Sequence, residues 1–209
     1  MVYSIILSAA LAYFLGSINT SILVSRLFGV SDIRQKGSGN AGATNTLRVV
    51  GKKAAVLVVI GDALKGIISI LGARVICSIF DSDISYSMYI SSVMVVLGHV
   101  FPVYFGFKGG KGIMTSIAVI FVLNYKIGLI LVGIFAILVL LFNYVSLGSC
   151  ICALSYPFIV AFMEKGNTSM LISAVIIAVI AILKHRTNIV RLLNGTESKL
   201  FKSKSNNQR

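Results

Sequence analysis

The chain has 209 residues, of which 57% are hydrophobic and only 12% charged, with a mean hydropathy of +0.95. A soluble domain of this size carries about a quarter charged residues, and here the apolar residues run in long blocks, which excludes a water-facing surface over most of the length. The net charge of +13 does not point to nucleic acid, because nearly all Lys and Arg lie between apolar blocks or in the tail and form no basic domain to lie along a duplex.

About 20 apolar residues cross a hydrocarbon core. The sequence predicts spans at roughly 3–25, 54–78, 86–105, 113–124, 127–142, 146–163 and 168–184. No basic residue precedes Arg26, an order that suits an uncleaved first span with its N-terminus outside. The fourth and fifth spans are short halves of one apolar region interrupted by Asn124-Tyr125-Lys126, so six spans is the alternative. Loop charges favour seven. They put Arg26, Arg34, Lys36, Arg48, Lys52 and Lys53 in the first inside loop, Lys108 and Lys111 in the second, and the basic stretch from Lys184 to Arg209 inside as well. The outside connections hold Asp81 and Asp83, then Lys126, then Glu164 with Lys165, and are nearly neutral. The expected fold is all-α: a polytopic membrane bundle of seven transmembrane helices with the C-terminus cytoplasmic. It forms a single domain over residues 1–209, with a mobile basic tail from about 200. Cys77, Cys150 and Cys152 sit in apolar runs and read as reduced, buried small residues.

Three polar constellations fall on the inside face. The first runs from Gly37 to Arg48. Gly37 and Gly39 let the backbone approach a ligand, Ser38, Asn40, Thr44 and Asn45 offer short hydrogen-bonding side chains, and Arg48 is a fork for phosphate. A solvated turn capping the next helix is the plainer reading, but it accounts poorly for twelve small, polar and basic residues in a row. Gly37, Gly39 and Gly42 also imitate a dinucleotide fingerprint, with Asp62 twenty residues on. That motif needs a strand–turn–helix unit, and this one lies between membrane spans.

The second constellation runs from Gly98 to Gly112. Pro102 ends or kinks a helix, and Lys108-Gly109-Gly110-Lys111-Gly112 leads into the next one, an arrangement suited to an anion. It is not a Walker A loop, since Gly112 stands where Ser or Thr would bind magnesium. A topological anchor is the alternative, and His99 reads most simply as a helix–helix hydrogen bond. The third constellation is Lys184 to Arg191 with Gly195-Thr196-Glu197, where His185 and Asn188 share a helix face at i, i+3 if the last helix continues. Within the second span, Asp62 and Lys65 are either functional or simply paired with each other.

Together these groups can hold one or two phosphates without a metal, the inside acids being too few for a magnesium cage. The stretches GSGNAGATNTLR, GHVFPVYFGFKGGKG and KHRTNIVRLLNGTES resemble, in order and spacing, the three signature motifs of the bacterial acyl-phosphate:glycerol-3-phosphate acyltransferases. The resemblance covers the whole chain. It implies a membrane enzyme that moves a fatty acyl group from acyl-phosphate to position 1 of sn-glycerol 3-phosphate, with no cofactor, no metal and no obligate protein partner. By the same resemblance Ser38, His185 and Asn188 handle the acceptor's hydroxyls, and Arg48 and Lys111 bind phosphate. Gly37, Gly39, Asn40, Asn45, Lys108, Gly109 and Gly110 line the substrate site, and Glu197 supports the structure. The rival classes are a transporter of organic phosphates, disfavoured by the absence of a visible repeat and by motifs gathered at one face, and a non-catalytic lipid-binding scaffold.

Overall fold

The computed structural model describes residues 1–200, and the basic tail beyond lies outside the described residues. Among the described residues the chain forms ten α-helices, two short 3-10 turns and no strand. The helices are α1 (Val2–Ser17), α2 (Thr20–Leu27), α3 (Ala43–Val49), α4 (Lys52–Ile79) and α5 (Ile84–Val100). They continue as α6 (Ile113–Leu123), α7 (Tyr125–Phe142), α8 (Val145–Met163), α9 (Thr168–Lys184) and α10 (Arg186–Leu193).

Five segments are long and apolar enough to cross a membrane, and a sixth is added when α9 and α10, bent by 58°, are taken together. The fourth predicted span is α6, whose 11 residues reach only about 16 Å, too short to cross the core alone. Asn124 ends α6 and starts α7, accepting from the backbone N–H groups of Lys126 (2.9 Å) and Ile127 (3.2 Å) and donating to Glu164 (2.6 Å). Because α6 ends and α7 begins at Asn124, and α7 has 18 residues against 11, the amino end of α6 falls roughly 10 Å short of the far end of α7.

Small residues set the tightest helix contact. Ser4, Ser8, Ala12 and Gly16, all buried, repeat every four residues along one face of α1, a spacing that lets two backbones approach in a membrane. That face meets α5, where a Cβ on Gly98 would lie 2.2 Å from the Tyr13 carbonyl oxygen, and one on Gly16 would lie 2.2 Å from that of Val95.

The first predicted span is broken. Ile18 and Asn19 are extended, and Asn19 caps α2 through a bond from the Ile22 N–H (3.1 Å). The break is closed by buried charges from α4. The Lys65 ammonium donates to the carbonyls of Gly16 (3.1 Å) and Ile18 (2.9 Å) at the end of α1, and lies 2.9 Å from Asp62 Oδ1. Thr20, at the start of α2, donates its hydroxyl proton to the same carboxylate oxygen. The cation thus faces the negative end of one helix and the anion the positive end of the next. Lys65 also reaches Nδ1 of His99 at 2.8 Å. An ammonium has no lone pair, so that nitrogen accepts.

Replacing Gly98 by Ala is expected to wedge α1 from α5 and to lower stability by about 1–3 kcal/mol, the usual cost of overpacking. Thermal denaturation in detergent measures it, and an unchanged midpoint would contradict the close approach described.

Candidate active site

The three constellations converge at one end of the bundle, around a cavity of about 320 Å³. Ser38, Asn40, Asn45, Arg48, Lys111, His185, Asn188 and Glu197 all border it. A second polar cavity of about 530 Å³ lies on the other side of Ser38, Asn40, Lys111 and Asn188, and adds Gly39, Gly109, Lys184 and Arg186 to its lining.

The Ser38 loop is held from beneath by Asn45. Gly37 and Gly39 have φ of +60° and +73°, a left-handed backbone that glycine adopts without strain. Asn45 is 1% exposed. Its Oδ1 accepts from the Ser38 N–H at 2.8 Å, and its Nδ2 donates to the carbonyls of Ile33 (3.2 Å) and Lys36 (2.9 Å). The expected ligand contact of Asn45 is therefore secondary to a bracing one, since both amide protons are engaged by the loop itself. No room exists for a side chain at Gly37, where a Cβ would lie 2.3 Å from Asn45 Oδ1.

A second brace comes from Arg34, which the sequence marks only as one of the charges of the first inside loop. It pairs with Asp32 at 2.8 Å and donates to the carbonyls of Phe105 (2.9 Å) and Lys108 (3.2 Å), tying the Ser38 loop to the Lys108–Lys111 turn. The bond from Arg34 holds the Asp32 carboxyl below its ordinary range, outweighing the desolvation that opposes it.

The glycines of that turn act differently from expectation. Gly109 and Gly110 donate their N–H groups back to the carbonyls of Val100 and His99, each at 3.2 Å, so these two amides are not free to bind an anion. Gly110 lies against His99 and the Ala41 carbonyl, where a Cβ would come within 2.3–2.4 Å of both. Glycine is needed there for close approach. Lys108 is exposed and borders neither cavity. Gly112, by contrast, borders the first cavity together with Ile113 and Met114, at the amino end of α6.

Lys111 donates to Asn188 Oδ1. Asn188 Nδ2 donates to Glu197 Oε1 at 2.7 Å, which also accepts from the Ser146 hydroxyl at 3.0 Å, while Arg191 Nε donates to Glu197 Oε2 at 2.7 Å. Burial raises the Glu197 carboxyl, but the bonds from Arg191, Asn188 and Ser146 outweigh it and hold the group below its ordinary value. Glu197 thus anchors the end that orients Lys111. Burial lowers the Lys111 ammonium to about 8, with Arg191 and Arg48 adding repulsion and Glu197 opposing it. Arg48 borders the first cavity and reaches the Ser198 carbonyl at 3.4 Å.

The last helix does not run on as one rod. It bends at His185, yet His185 and Asn188 still border the same cavity, both almost fully buried. His185 Nδ1 lies 2.8 Å from the Ala181 carbonyl. A carbonyl only accepts, so Nδ1 carries the hydrogen and Nε2 keeps its lone pair.

The lining includes polar residues that were not assigned to the site from the sequence, among them Asp62 and His99, and Ser146 and Ser149 of α8. Intramembrane charge marked Asp62; nothing in the sequence marked the two serines. An apolar pocket of about 270 Å³ among α6, α7, α8 and α9 shares Ile113, Met114, Phe135 and Ser149 with the polar cavity and continues past Ile120 and Tyr156.

A family model described as glycerol-3-phosphate acyltransferase matches residues 6–195. A glycerol-3-phosphate acyltransferase of Syntrophotalea carbinolica is 43% identical over 188 residues, covering 90% of this chain and 93% of that protein. One from Clostridioides difficile is 38% identical over 203 residues, covering 97% and 98%. Among solved structures, the crystal structure of PlsY (YgiH), an integral membrane glycerol 3-phosphate acyltransferase in its glycerol 3-phosphate form, matches with a TM-score of 0.86 and 38% identity over 96% of each chain. Its lysophosphatidic acid form matches with a TM-score of 0.82 and 37% identity, covering 94% of this chain and 95% of that one.

An anion held by Lys111 needs the ammonium, which is present below about 8 and lost as the pH rises through that value. Binding of inorganic phosphate is therefore expected to weaken roughly tenfold between pH 7 and pH 9. In Lys111→Arg the decline should vanish. Titration calorimetry in detergent reads both, and a flat profile in the unaltered protein would remove Lys111 from the anion site.

Proposed function

The chain belongs to the glycerol-3-phosphate acyltransferase family, and we propose that it transfers a fatty acyl group from acyl-phosphate to position 1 of sn-glycerol 3-phosphate. The products are 1-acyl-glycerol 3-phosphate and inorganic phosphate, in the first acylation of bacterial phospholipid synthesis. The observation that carries this reading is the junction of a basic polar cavity with an apolar pocket through Ile113, Met114, Phe135 and Ser149. A donor with an anionic head and an alkyl tail spans that junction, its phosphate toward Arg48 and Lys111 and its chain between α6 and α8. Its carbonyl then falls at the boundary.

Transfer is direct. The C1 hydroxyl oxygen of the acceptor bonds to the acyl carbon as the carbon–oxygen bond to phosphate breaks. The hydroxyl proton passes to His185 Nε2 or to a phosphate oxygen. Ser38 positions the acceptor through its hydroxyl, and Arg48 and Lys111 carry the charge of the leaving phosphate. Asn188 and Glu197 orient Lys111. Asn40, Gly37 and Gly39 complete the wall beside Ser38, and Gly109 and Gly110 shape it by close approach. The whole chain acts as one domain in the cell membrane, with seven membrane segments of which α6 is too short to cross alone, the N-terminus outside and the site facing the cytoplasm. The positive excess in the loops at the motif end supports this orientation.

Purified protein in detergent, given acyl-phosphate and glycerol 3-phosphate, is expected to release lysophosphatidate and phosphate in equal amounts. No acyl group should be trapped on Ser38 by mass spectrometry. Folded protein that makes no lysophosphatidate overturns the enzyme reading, whereas an acyl-Ser38 species overturns direct transfer alone.

His185→Ala is expected to cost about a hundredfold or more in turnover, the usual contribution of a positioned acid–base group. Full turnover across the pH range would end its role as proton acceptor.

A further inference from the structure

One side chain that borders neither polar cavity joins the two loops that carry Ser38 and Lys111. Arg34 stands in a 3-10 turn, Ile33–Gln35, at the entrance to the Ser38 loop. Its backbone is fixed from one side: Asn45 holds the carbonyls of Ile33 and Lys36 around it and the N–H of Ser38 beyond. Its side chain reaches the other way. Nε and Nη2 fork onto the Asp32 carboxylate at 2.8–3.1 Å, and Nη1 donates to the carbonyls of Phe105 (2.9 Å) and Lys108 (3.2 Å). Asp32 is tied in turn by the Arg34 N–H at 2.9 Å. The two carbonyls bracket Gly106 and Phe107, with φ of +64° and +59°. A phenylalanine in the left-handed region is strained and persists only where its surroundings hold it.

We propose that Arg34 is a positioning residue for acyl transfer, a clamp that keeps the Ser38 hydroxyl and the Lys111 ammonium at one working separation. This rests on the proposed reaction, in which both groups act on the same pair of substrates. The two loops also meet without Arg34. Gly110 passes the Ala41 carbonyl, where a Cβ would lie 2.4 Å away, and Phe105 packs on the cluster of Ile22, Ile33 and Ala41. The first contact only limits how close the loops come, and the second is non-directional. The bonds of a planar fork set direction as well as distance, and keep the loops from parting. All three guanidinium nitrogens are engaged inside the protein, so Arg34 acts through the loops it joins. A lysine there would keep the charge, but one ammonium on a flexible stem cannot grip a carboxylate and two carbonyls in the same geometry.

The test is chemical rescue. Arg34→Ala is expected to lower kcat roughly a hundredfold, the scale of a small misplacement of reacting groups, and Arg34→Lys to recover little of it. The Arg34 side chain is 25% exposed, so a small cation can enter the slot that the alanine leaves. Methylguanidinium is expected to raise the turnover of Arg34→Ala about tenfold, the worth of a hydrogen bond to a charged group. Sodium chloride at the same concentration should restore none. In the double variant Asp32→Ala/Arg34→Ala the seat is gone, and methylguanidinium should restore nothing. Full turnover in Arg34→Ala, no recovery with the cation, or equal recovery without Asp32 each overturns the proposal. Should Arg34→Ala fail to fold, Asp32→Asn decides, since it leaves the guanidinium and takes away its anchor. A fall in kcat of about tenfold sustains the clamp, and unchanged kcat overturns it. Unaltered enzyme that makes no lysophosphatidate instead refutes the proposed function, a result distinct from all of these.

Discussion

A single ion pair inside the bilayer organises this protein. Lys65 and Asp62, one turn apart on α4, are matched to the two ends of the break between α1 and α2. An isolated charge at this depth would be strongly disfavoured. Here the ammonium faces carbonyls that a broken helix leaves unpaired, and the carboxylate faces the amino end of the helix that follows. Each half of the arrangement stabilises the other. The extended Ile18-Asn19 step gives Lys65 its acceptors, and Lys65 makes the step tolerable in a low-dielectric core. From the same pair the order spreads to His99, then to the Gly109–Gly110 backbone that folds onto the end of α5, and so to Lys111.

The site is assembled by backbone bracing more than by packing. Asn45 holds the Ser38 loop, Arg34 joins that loop to the Lys108–Lys111 turn, and Glu197 fixes Asn188 and, through it, Lys111. In each case one polar side chain satisfies several groups of a loop that has no regular ladder of its own. The groups proposed to act are thereby left, among the described residues, without internal bonds on one side. Ser38 has its backbone tied but its hydroxyl open, and His185 has Nδ1 tied but Nε2 open.

How much of this was legible in the sequence depends on the kind of residue. The long apolar blocks gave the helices, and the break at Asn124 was readable because Asn, Tyr and Lys interrupt an otherwise apolar run. The three motifs were recognisable by residue type, and they do converge. What residue type does not encode is which way a polar group points. Asn45 and the glycines at 109 and 110 look like ligand contacts, but their bonds run into the protein, because an amide beside an irregular backbone is claimed by the nearest unpaired carbonyl or N–H. Ser146 and Ser149 carry no mark among the other serines of the spans, since only the approach of α8 to the cavity singles them out. The break after Ser17 was hidden as well: Ile18-Asn19 is too short to interrupt hydropathy, and its cause lies more than forty residues away in α4.

The shortness of α6 has a consequence for where oil ends and water begins. Because α6 stops about 10 Å before its neighbour α7, the polar cavity opens above its first turn, inside the depth that α7 spans. With α7 spanning the membrane as proposed, the polar cavity reaches into the depth of the hydrocarbon layer at this point, and the apolar pocket opens from the same turn. Under the proposed reaction, a two-phase reactant has its tail in oil and its head in water at every stage. Lifting an alkyl chain out of a membrane costs about 0.8 kcal/mol for each methylene exposed. A helix of three turns where five would span removes that work, and it leaves the lipid product already seated in the layer that it will join.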